Sequence, residues 1–486
     1  SKLVSRGDTT VVDAYLSPVL RRYVDQVADA LSLGKNCKAL MFMQSNGGLI
    51  DAQKFQGKDA ILSGPAGGIV GMVETGQQAG FNLLIGFDMG GTSTDVSHFA
   101  GKLERSFETD VAGVRLRAPM MDIHTVAAGG GSVCSYRDGR FQVGPDSAGA
   151  APGPASYRRG GPLTVTDCNL VLGSLSPNYF PAVFGTSGNM PLDNEAAKQR
   201  IKELASKYDL HGSIEDIAMG FLEIAVQNMA NAIKKISVER GHNITSYTLQ
   251  SFGGAGGQHA CLVAEELGMS RVMIHPFAGV LSAYGMGLAD VRCLRESQLD
   301  CDLEDNEHVK ATLDVLQADA IDELSDQGIK KFHTEIRAHL RYEGSHQTLE
   351  VSYGTVDQMA VDFEAAHVAR FGFSSPNRKL QFEMVSVEAI GEIAGISKTL
   401  QTFGDGAPIG YGEIYRGTWH EIQIYDRSTL RKNQVIDGPA IIMETTGTNV
   451  VELGWRARRD DFDNLIIEHV AHAVHDWLVL RQIPYF

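Results

Sequence analysis

The stretch that most limits what this chain can become is Phe87-Asp88-Met89-Gly90-Gly91-Thr92-Ser93-Thr94-Asp95-Val96-Ser97. Ahead of the glycines, Leu83-Leu84-Ile85-Gly86-Phe87 is an apolar run of strand length. Beyond them, Val96, His98 and Ala100 alternate with Ser97 and Phe99, so the segment predicts a β-hairpin. At its tip, Gly90 and Gly91 can take positive φ and expose backbone N–H groups with no Cβ in the way, so phosphate oxygens can approach the main chain. Asp88, at the end of the first strand, is placed to hold Mg²⁺ directly or through its waters, and Asp95 to orient a water or a second ligand. A P-loop would need Lys followed by Ser or Thr and then a helix, and this segment has neither. Taken alone, it also reads as a Gly-rich hairpin whose Asp side chains satisfy turn amides.

The 486 residues, 43% of them hydrophobic, suit two or three globular domains. A net charge of −16 argues against a nucleic-acid or anionic-membrane surface, so an anionic nucleotide would have to be held by metal and backbone dipoles. The six cysteines are scattered without a C-x-x-C pair, which suggests neither zinc nor a disulfide framework. The absence of a charged-then-apolar leader and of an apolar run near 18 residues points away from secretion and membrane spanning, and toward the cytoplasm.

Along the chain, residues 11–31 predict a helix kinked or split at Pro18, followed by a short strand at Ala39 to Met43. Ser63-Gly64-Pro65-Ala66-Gly67-Gly68 opens a helix to about Ala79, and its Gly64, Gly67, Gly68 and Gly71 face suits close helix packing. A β-rich, loop-heavy region runs to Gly173 and contains Asp122-Ile123-His124 and the Gly129-Gly130-Gly131 turn. Helices follow at Asn194 to Lys207 and Ser213 to Glu239. Next come a strand at Tyr247 to Phe252, the turn Gly253-Gly254-Ala255-Gly256-Gly257, and a helix from Gln258 whose free N–H groups favour an anion or a nucleotide edge. After Asp290 a helix (His308 to Gln327) and several strands predict a separate α+β domain, and Asn464 to Phe486 has helical periodicity. The expected division is a leading segment 1–80, an ATPase lobe 81–290 and a C-terminal domain 291–486.

In this order the parts resemble the second nucleotide lobe of the actin, Hsp70 and sugar-kinase superfamily, an RNase H-like α/β fold. The wording of six segments is narrower: Gly86-Phe-Asp-Met-Gly-Gly-Thr-Ser-Thr-Asp-Val-Ser, Leu62-Ser-Gly-Pro-Ala-Gly-Gly, Asp122-Ile-His-Thr-Val-Ala-Ala-Gly-Gly-Gly-Ser, Gly144-Pro-Asp-Ser-Ala-Gly-Ala-Ala-Pro-Gly-Pro-Ala, Thr164-Val-Thr-Asp-Cys-Asn-Leu-Val-Leu-Gly and Phe252-Gly-Gly-Ala-Gly-Gly-Gln-His-Ala. Together they resemble the hydantoinase A/5-oxoprolinase family, and within it the ATP-dependent 5-oxoprolinases.

The resemblance implies ATP-driven opening of 5-oxo-L-proline to L-glutamate through a phosphorylated lactam. It implies that Asp88, Gly90, Gly91, Thr92, Ser93, Thr94 and Asp95 bind phosphates and Mg²⁺, with Asp88 and Asp95 as the metal residues. Gly253, Gly254, Gly256 and Gly257 would line the adenosine side. Asp122, His124 and the Gly129 to Gly131 turn form a second cluster expected near the phosphates or substrate, or else a polar turn with a hydrogen-bonded histidine. His259 reads as a helix-start residue rather than a base. Family members carry an additional N-terminal lobe with its own D-x-G-G-T-x-T-D loop and work with a hydantoinase B-type partner. With only the copy at Asp88, this chain is expected to be a truncated piece or isolated module holding half the site and inactive alone. A homo-oligomer stays open. Two other readings share the hairpin: the ATP-binding subunit of a hydantoinase or ketone carboxylase, and an Hsp70/actin-like nucleotide-binding scaffold.

Overall fold

A computed structural model describes residues 3–31, 39–111, 113–345, 347–391 and 404–470. The predicted hairpin forms from Leu83–Met89 and Thr94–Ala100, with Asp88 opposite Asp95 and Met89 opposite Thr94. It sits inside an eight-stranded sheet. The order there is Val435–Asp437, Trp455–Arg459, Leu465–His469, Arg271–Ile274, Thr248–Phe252, Leu83–Met89, Thr94–Ala100 and His124–Val126. Thr248–Phe252 runs parallel to both Leu83–Met89 and Arg271–Ile274. In these inner strands Leu84, Ile85, Phe87, Leu249 and Val272 are wholly buried, and the polar Thr248, Gln250 and Ser251 are buried with them, as a sheet covered on both faces requires.

One face is covered by the helix Ile214–Ile236, which buries Ile217, Phe221, Ala225, Met229 and Ile233 and contacts Thr94–Ala100 and His124–Val126. Ser213 starts it by accepting from Asp216 N, while the Asp216 carboxylate accepts from Ser213 N, a reciprocal cap. The helix Ser63–Gln78 covers the other face. Its glycine stripe is a packing surface: a Cβ on Gly71 would lie 2.8 Å from Leu281 O, and one on Gly285 2.0 Å from Gly67 O. Only glycines therefore let this helix and Leu281–Leu288 cross at backbone distance, and Gly64 stands clear of the crossing.

The leading helix runs unbroken from Leu3 to Ala30 with Pro18 inside it, instead of splitting there. Val24 and Leu20 pack with Ile50, Phe55 and Phe42, so tertiary burial carries the helix past the missing N–H of the proline. The expected divisions at residues 80 and 290 do not separate the sheets. Met41–Met43 and Leu49–Asp51 join Val291–Asp302, Leu380–Gly391, Phe332–Tyr342 and Leu349–Ser352 in a six-stranded sheet, while strands beyond residue 435 complete the sheet of the hairpin.

The smaller α+β domain is built on the long strands of that six-stranded sheet with the helices Asn306–Asp326 and Val356–Phe371, around a core of its own that includes Phe363, Phe382 and Val385. The second of these helices is absent from the sequence reading, although Thr355 at its N-cap and Gly372 in left-handed conformation at its C-cap mark both ends. The helix expected from Asn464 is also corrected: Leu465–His469 is a strand between Trp455–Arg459 and Arg271–Ile274. Leu-Ile-Ile satisfies either period, and pairing with the sheet decides. Residues 471–486 of that expectation, like Cys37, lie outside the described residues. No described helix is long and apolar enough to cross a membrane.

Candidate functional site

Because Asp88 and Asp95 are direct cross-strand partners, their carboxylates share one face of the hairpin. Burial, and then the charge of Asp95, lift the Asp88 carboxyl to about 6. Burial also raises Asp95, against a lowering hydrogen bond from Thr125, whose Oγ1 donates to Asp95 Oδ1 at 2.7 Å. Two adjacent, partly desolvated carboxylates are poorly stable as a pair of anions, and a divalent cation beside them reverses that. The donor set fits Mg²⁺, which takes one or two carboxylates and keeps waters or phosphate oxygens as its other ligands. Thr125 is the residue the sequence reading missed here. Its signal is register, since it faces Asp95 across the sheet edge.

The hairpin tip rests on a shelf made by the Gly129-Gly130-Gly131 turn. Gly130 N donates to Gly90 O at 3.1 Å, Gly131 N to Gly91 O at 2.6 Å, and Thr94 Oγ1 to Ala128 O at 2.5 Å. A Cβ on Gly129 would lie 2.6 Å from Ser93 N, so this turn must be glycine to sit under the tip. Thr166, in the helix Val165–Val171, in turn holds Gly130 O through its N–H and its hydroxyl. Gly90 and Gly91 do not use the positive φ that glycine allows. Gly90 N donates to Ser93 O at 3.0 Å to close the turn, and the glycines contribute space: a Cβ on Gly91 would have nothing within 4 Å.

From the other side the second glycine turn closes on the same point. Gly253 does take the left-handed conformation, φ +78°, and a Cβ there would lie 2.5 Å from Asp88 Oδ1 and 2.4 Å from Met89 O. Gly254 is more open, with Thr446 O at 3.6 Å from its Cβ position. Gly256 and Gly257 are buried against Ser251 and against Thr448 and Asn449, so protein backbone and side chains occupy the space a Cβ would need.

Asn169 ties this turn to the shelf: its Nδ2 donates to Gln258 Oε1 at 2.9 Å and meets His259 Nε2 at 3.0 Å. His259 is the N-cap of Ala260–Glu266 and fully buried, and burial, with Arg416 nearby, presses its pKa down to about 3. It is a helix-start residue, as expected. Replacing Asn169 by Leu would remove the amide donor facing Gln258 Oε1 and His259 Nε2, and is expected to destabilise the protein by ~2 kcal/mol in denaturant melts.

The helix Ser63–Gln78 adds a dipole. It runs antiparallel to the hairpin strand: Gly76 meets Leu84, Met72 lies at Gly86, and Gly68 meets the ring of Phe252, the partner of Asp88. Its first turn, which has no side-chain cap, therefore lies level with or beyond Asp88; Ser63 N donates to Ala60 O and Pro65 has no N–H, so the positive end of the dipole, with the N–H of Gly64, is what it offers an anion.

The structure does not bring Asp122 and His124 to this place. His124 pairs with Val96, so alternation puts its ring on the opposite face from Asp95 and Thr125. Asp122 forms an ion pair with Arg240 there, and burial, then Lys235, lowers the His124 pKa. Of the second cluster expected near the phosphates, only the Gly129 to Gly131 turn touches the hairpin tip.

A two-carboxylate hairpin, two glycine turns and a helix N-terminus around one point define an actin/Hsp70-like nucleotide-binding lobe, here followed by an α+β domain. A hydantoinase/oxoprolinase family profile matches residues 6–295, and one for the hydantoinase/oxoprolinase C-terminal domain matches residues 297–470. The chain belongs to the hydantoinase/oxoprolinase family. It is 39% identical to the 5-oxoprolinase of Saccharomyces cerevisiae over 93% of this chain, but spans only 37% of the length of that relative. The crystal structure of the ATP-dependent caprolactamase from Pseudomonas jessenii superimposes with a TM-score of 0.85 at 30% identity, over 96% of this chain and 70% of that one. An acetone carboxylase solved without nucleotide does so with a TM-score of 0.70 at 26% identity, over 93% of this chain and 67% of that one. Both similarities extend through the nucleotide lobe and the C-terminal domain.

Proposed function

We propose that this chain is the nucleotide-handling portion of an ATP-dependent amidohydrolase that opens a cyclic amide, with 5-oxo-L-proline as the substrate. The observation that carries the reading is the convergence of Asp88, Asp95, the Gly90 to Ser93 tip and Gly253 on one point. In this reading Asp88 and Asp95 hold Mg²⁺, whose charge offsets that of the phosphates when it is bound. The backbone of Gly90, Gly91, Thr92 and Ser93 and the first turn of Ser63–Gln78 face the phosphates, while Gly253 and Gly254 lie along the nucleotide. Thr125 keeps Asp95 oriented.

The chemistry that such a site serves is transfer of the terminal phosphoryl group to the lactam oxygen. Water then adds at the activated carbon, the C–N bond opens to leave an acyl phosphate with the ring nitrogen protonated, and a second water cleaves the acyl phosphate to release phosphate. The sum is 5-oxoproline, ATP and two waters giving glutamate, ADP and phosphate. The 39% identity to a 5-oxoprolinase supports the substrate, and the position of Asp122 and His124 behind the sheet leaves them out of the phosphate site. The caprolactamase and acetone carboxylase likenesses support a second reading, in which the same nucleotide site activates the oxygen of another lactam, a hydantoin or a ketone.

The test is calorimetric titration of the chain with a non-hydrolysable ATP analogue and Mg²⁺. Phosphate release is then measured over 5-oxoproline, caprolactam, hydantoin and acetone with a hydantoinase B-type partner present. Stimulation by 5-oxoproline supports the first reading, and stimulation by another compound instead supports the second. Nucleotide binding that no small molecule converts to turnover would favour a scaffold, and no nucleotide binding at all would remove every ATP-based reading.

A further inference from the structure

The side chains behind the sheet form a set of their own. His98 lies on the same strand as Asp95 but faces the other way and is 4% exposed. Its Nδ1 is 2.7 Å from Glu104 Oε1 and its Nε2 is 3.0 Å from the Tyr247 hydroxyl. The ring of His242 lies against it, centroid to centroid 4.1 Å. One ligand-type atom from each of His98, Glu104 and His242 lies within 4.8 Å of the other two. Among the described residues this is the only group of three or more His, Cys, Asp or Glu side chains gathered so closely.

Two imidazole nitrogens and one carboxylate oxygen are a donor set for zinc or cobalt rather than magnesium, which takes oxygen ligands. Bonds of about 2.0–2.2 Å in a tetrahedron would draw the widest of these separations in by roughly 1.5 Å, within reach of a rotamer adjustment of the half-buried His242. Three protein ligands leave the fourth position open to water. The surroundings also fit. Arg240 binds the other oxygen of Glu104 at 3.2 Å and pairs with Asp122, so it orients the carboxylate from behind while Oε1 stays directed at His98. Around the two histidines, two carboxylates, Glu104 and Asp122, face the one guanidinium of Arg240.

We infer that His98, Glu104 and His242 form a site for a borderline divalent cation of the zinc and cobalt class, on the opposite face of the sheet from the Asp88 and Asp95 pair. The cation would fasten the Thr94–Ala100 strand to the segment around residues 240–247 that follows the long helix. The inference stands apart from the proposed reaction, since it uses none of the phosphate-site residues.

The experiment is calorimetric titration of the EDTA-treated chain with Zn²⁺ in excess Mg²⁺, repeated with Co²⁺ to read its visible absorption bands. One saturable zinc event is expected, weakened ~100-fold or more in both His242→Ala and Glu104→Gln, on the scale that loss of a metal's protein partners produces. It should persist unchanged in Asp88→Asn. Two variants are used so that one poorly folded protein does not decide the outcome. Lack of a saturable event in the unmodified chain would overturn the inference. So would undiminished binding in both variants, or loss of binding in Asp88→Asn.

Discussion

In magnesium-free buffer at about pH 7.5, Asp88→Asn is expected to be more stable than the unmodified protein while losing its Mg²⁺-dependent nucleotide binding. The sign follows from the lifted pKa. Asp88 titrates at about 6 in the folded protein against 3.8 for an ordinary aspartate, with burial the larger cause and Asp95 the smaller. Between those values the folded state keeps a proton that the unfolded chain has released. The contribution of this carboxyl to stability is therefore most favourable below about pH 4, declines as pH rises, and is lost above about pH 6. At about 1.4 kcal/mol per pKa unit the penalty at neutral pH is ~3 kcal/mol, which an uncharged amide of the same shape does not incur. Mg²⁺ reverses the comparison, because it favours the ionised pair in the unmodified protein and has lost a ligand in the variant. Urea melts across pH, with and without Mg²⁺, read both effects. A variant less stable than the parent without Mg²⁺, or equally stabilised by it, would refute this account of Asp88.

Gly253→Ala is expected to be the most damaging single methyl group near the site. Left-handed backbone costs alanine ~1–2 kcal/mol by itself. The new Cβ would also stand 2.4 Å from Met89 O and 2.5 Å from Asp88 Oδ1, distances at which the turn or the strand end has to move. Both routes separate the glycine turn from the carboxylate, so stability and nucleotide affinity fall together. Gly254→Ala is the matched control: its Cβ position has Thr446 O at 3.6 Å, an ordinary contact, and its φ is not positive. Melting curves and analogue titrations of the two variants side by side make the comparison. Equal, mild effects would show that the close approach at Gly253 does not matter.

How much of this was legible in advance depends on whether a signal is local. The hairpin announced itself because two strands with a Gly-Gly tip lie within one short stretch, and the caps of Ile214–Ile236 lie beside the stripe they start. Which face a side chain takes also follows from alternation, but only once the register is known. Asp122 and His124 looked like neighbours of the phosphates because they are close in sequence to the Gly129 turn. The pairing of His124 with Val96 turns them away, and only long-range pairing decides that. Thr125 and Asn169 escaped notice for the same reason, since their partners Asp95, Gln258 and His259 lie far along the chain. Leu465–His469 shows the limit most plainly: a short apolar run is helix or strand according to what stands beside it, and here Arg271–Ile274 does.

The exchange of strands between the two sheets also bears on how the molecule is made. A chain emerging from synthesis delivers its strands in order, so Thr248–Phe252 and Arg271–Ile274 can dock beside the hairpin early, and the outer edge of Arg271–Ile274 then stays unpaired until Leu465–His469 arrives. Leu49 likewise waits for Val291. Pairings of such long span are slow to close, and an open apolar edge invites association with other chains in the interval. The nucleotide lobe thus depends for its last strands on residues beyond the domain that follows it, and any fragment cut between the two would leave a bare edge on the sheet that carries Asp88.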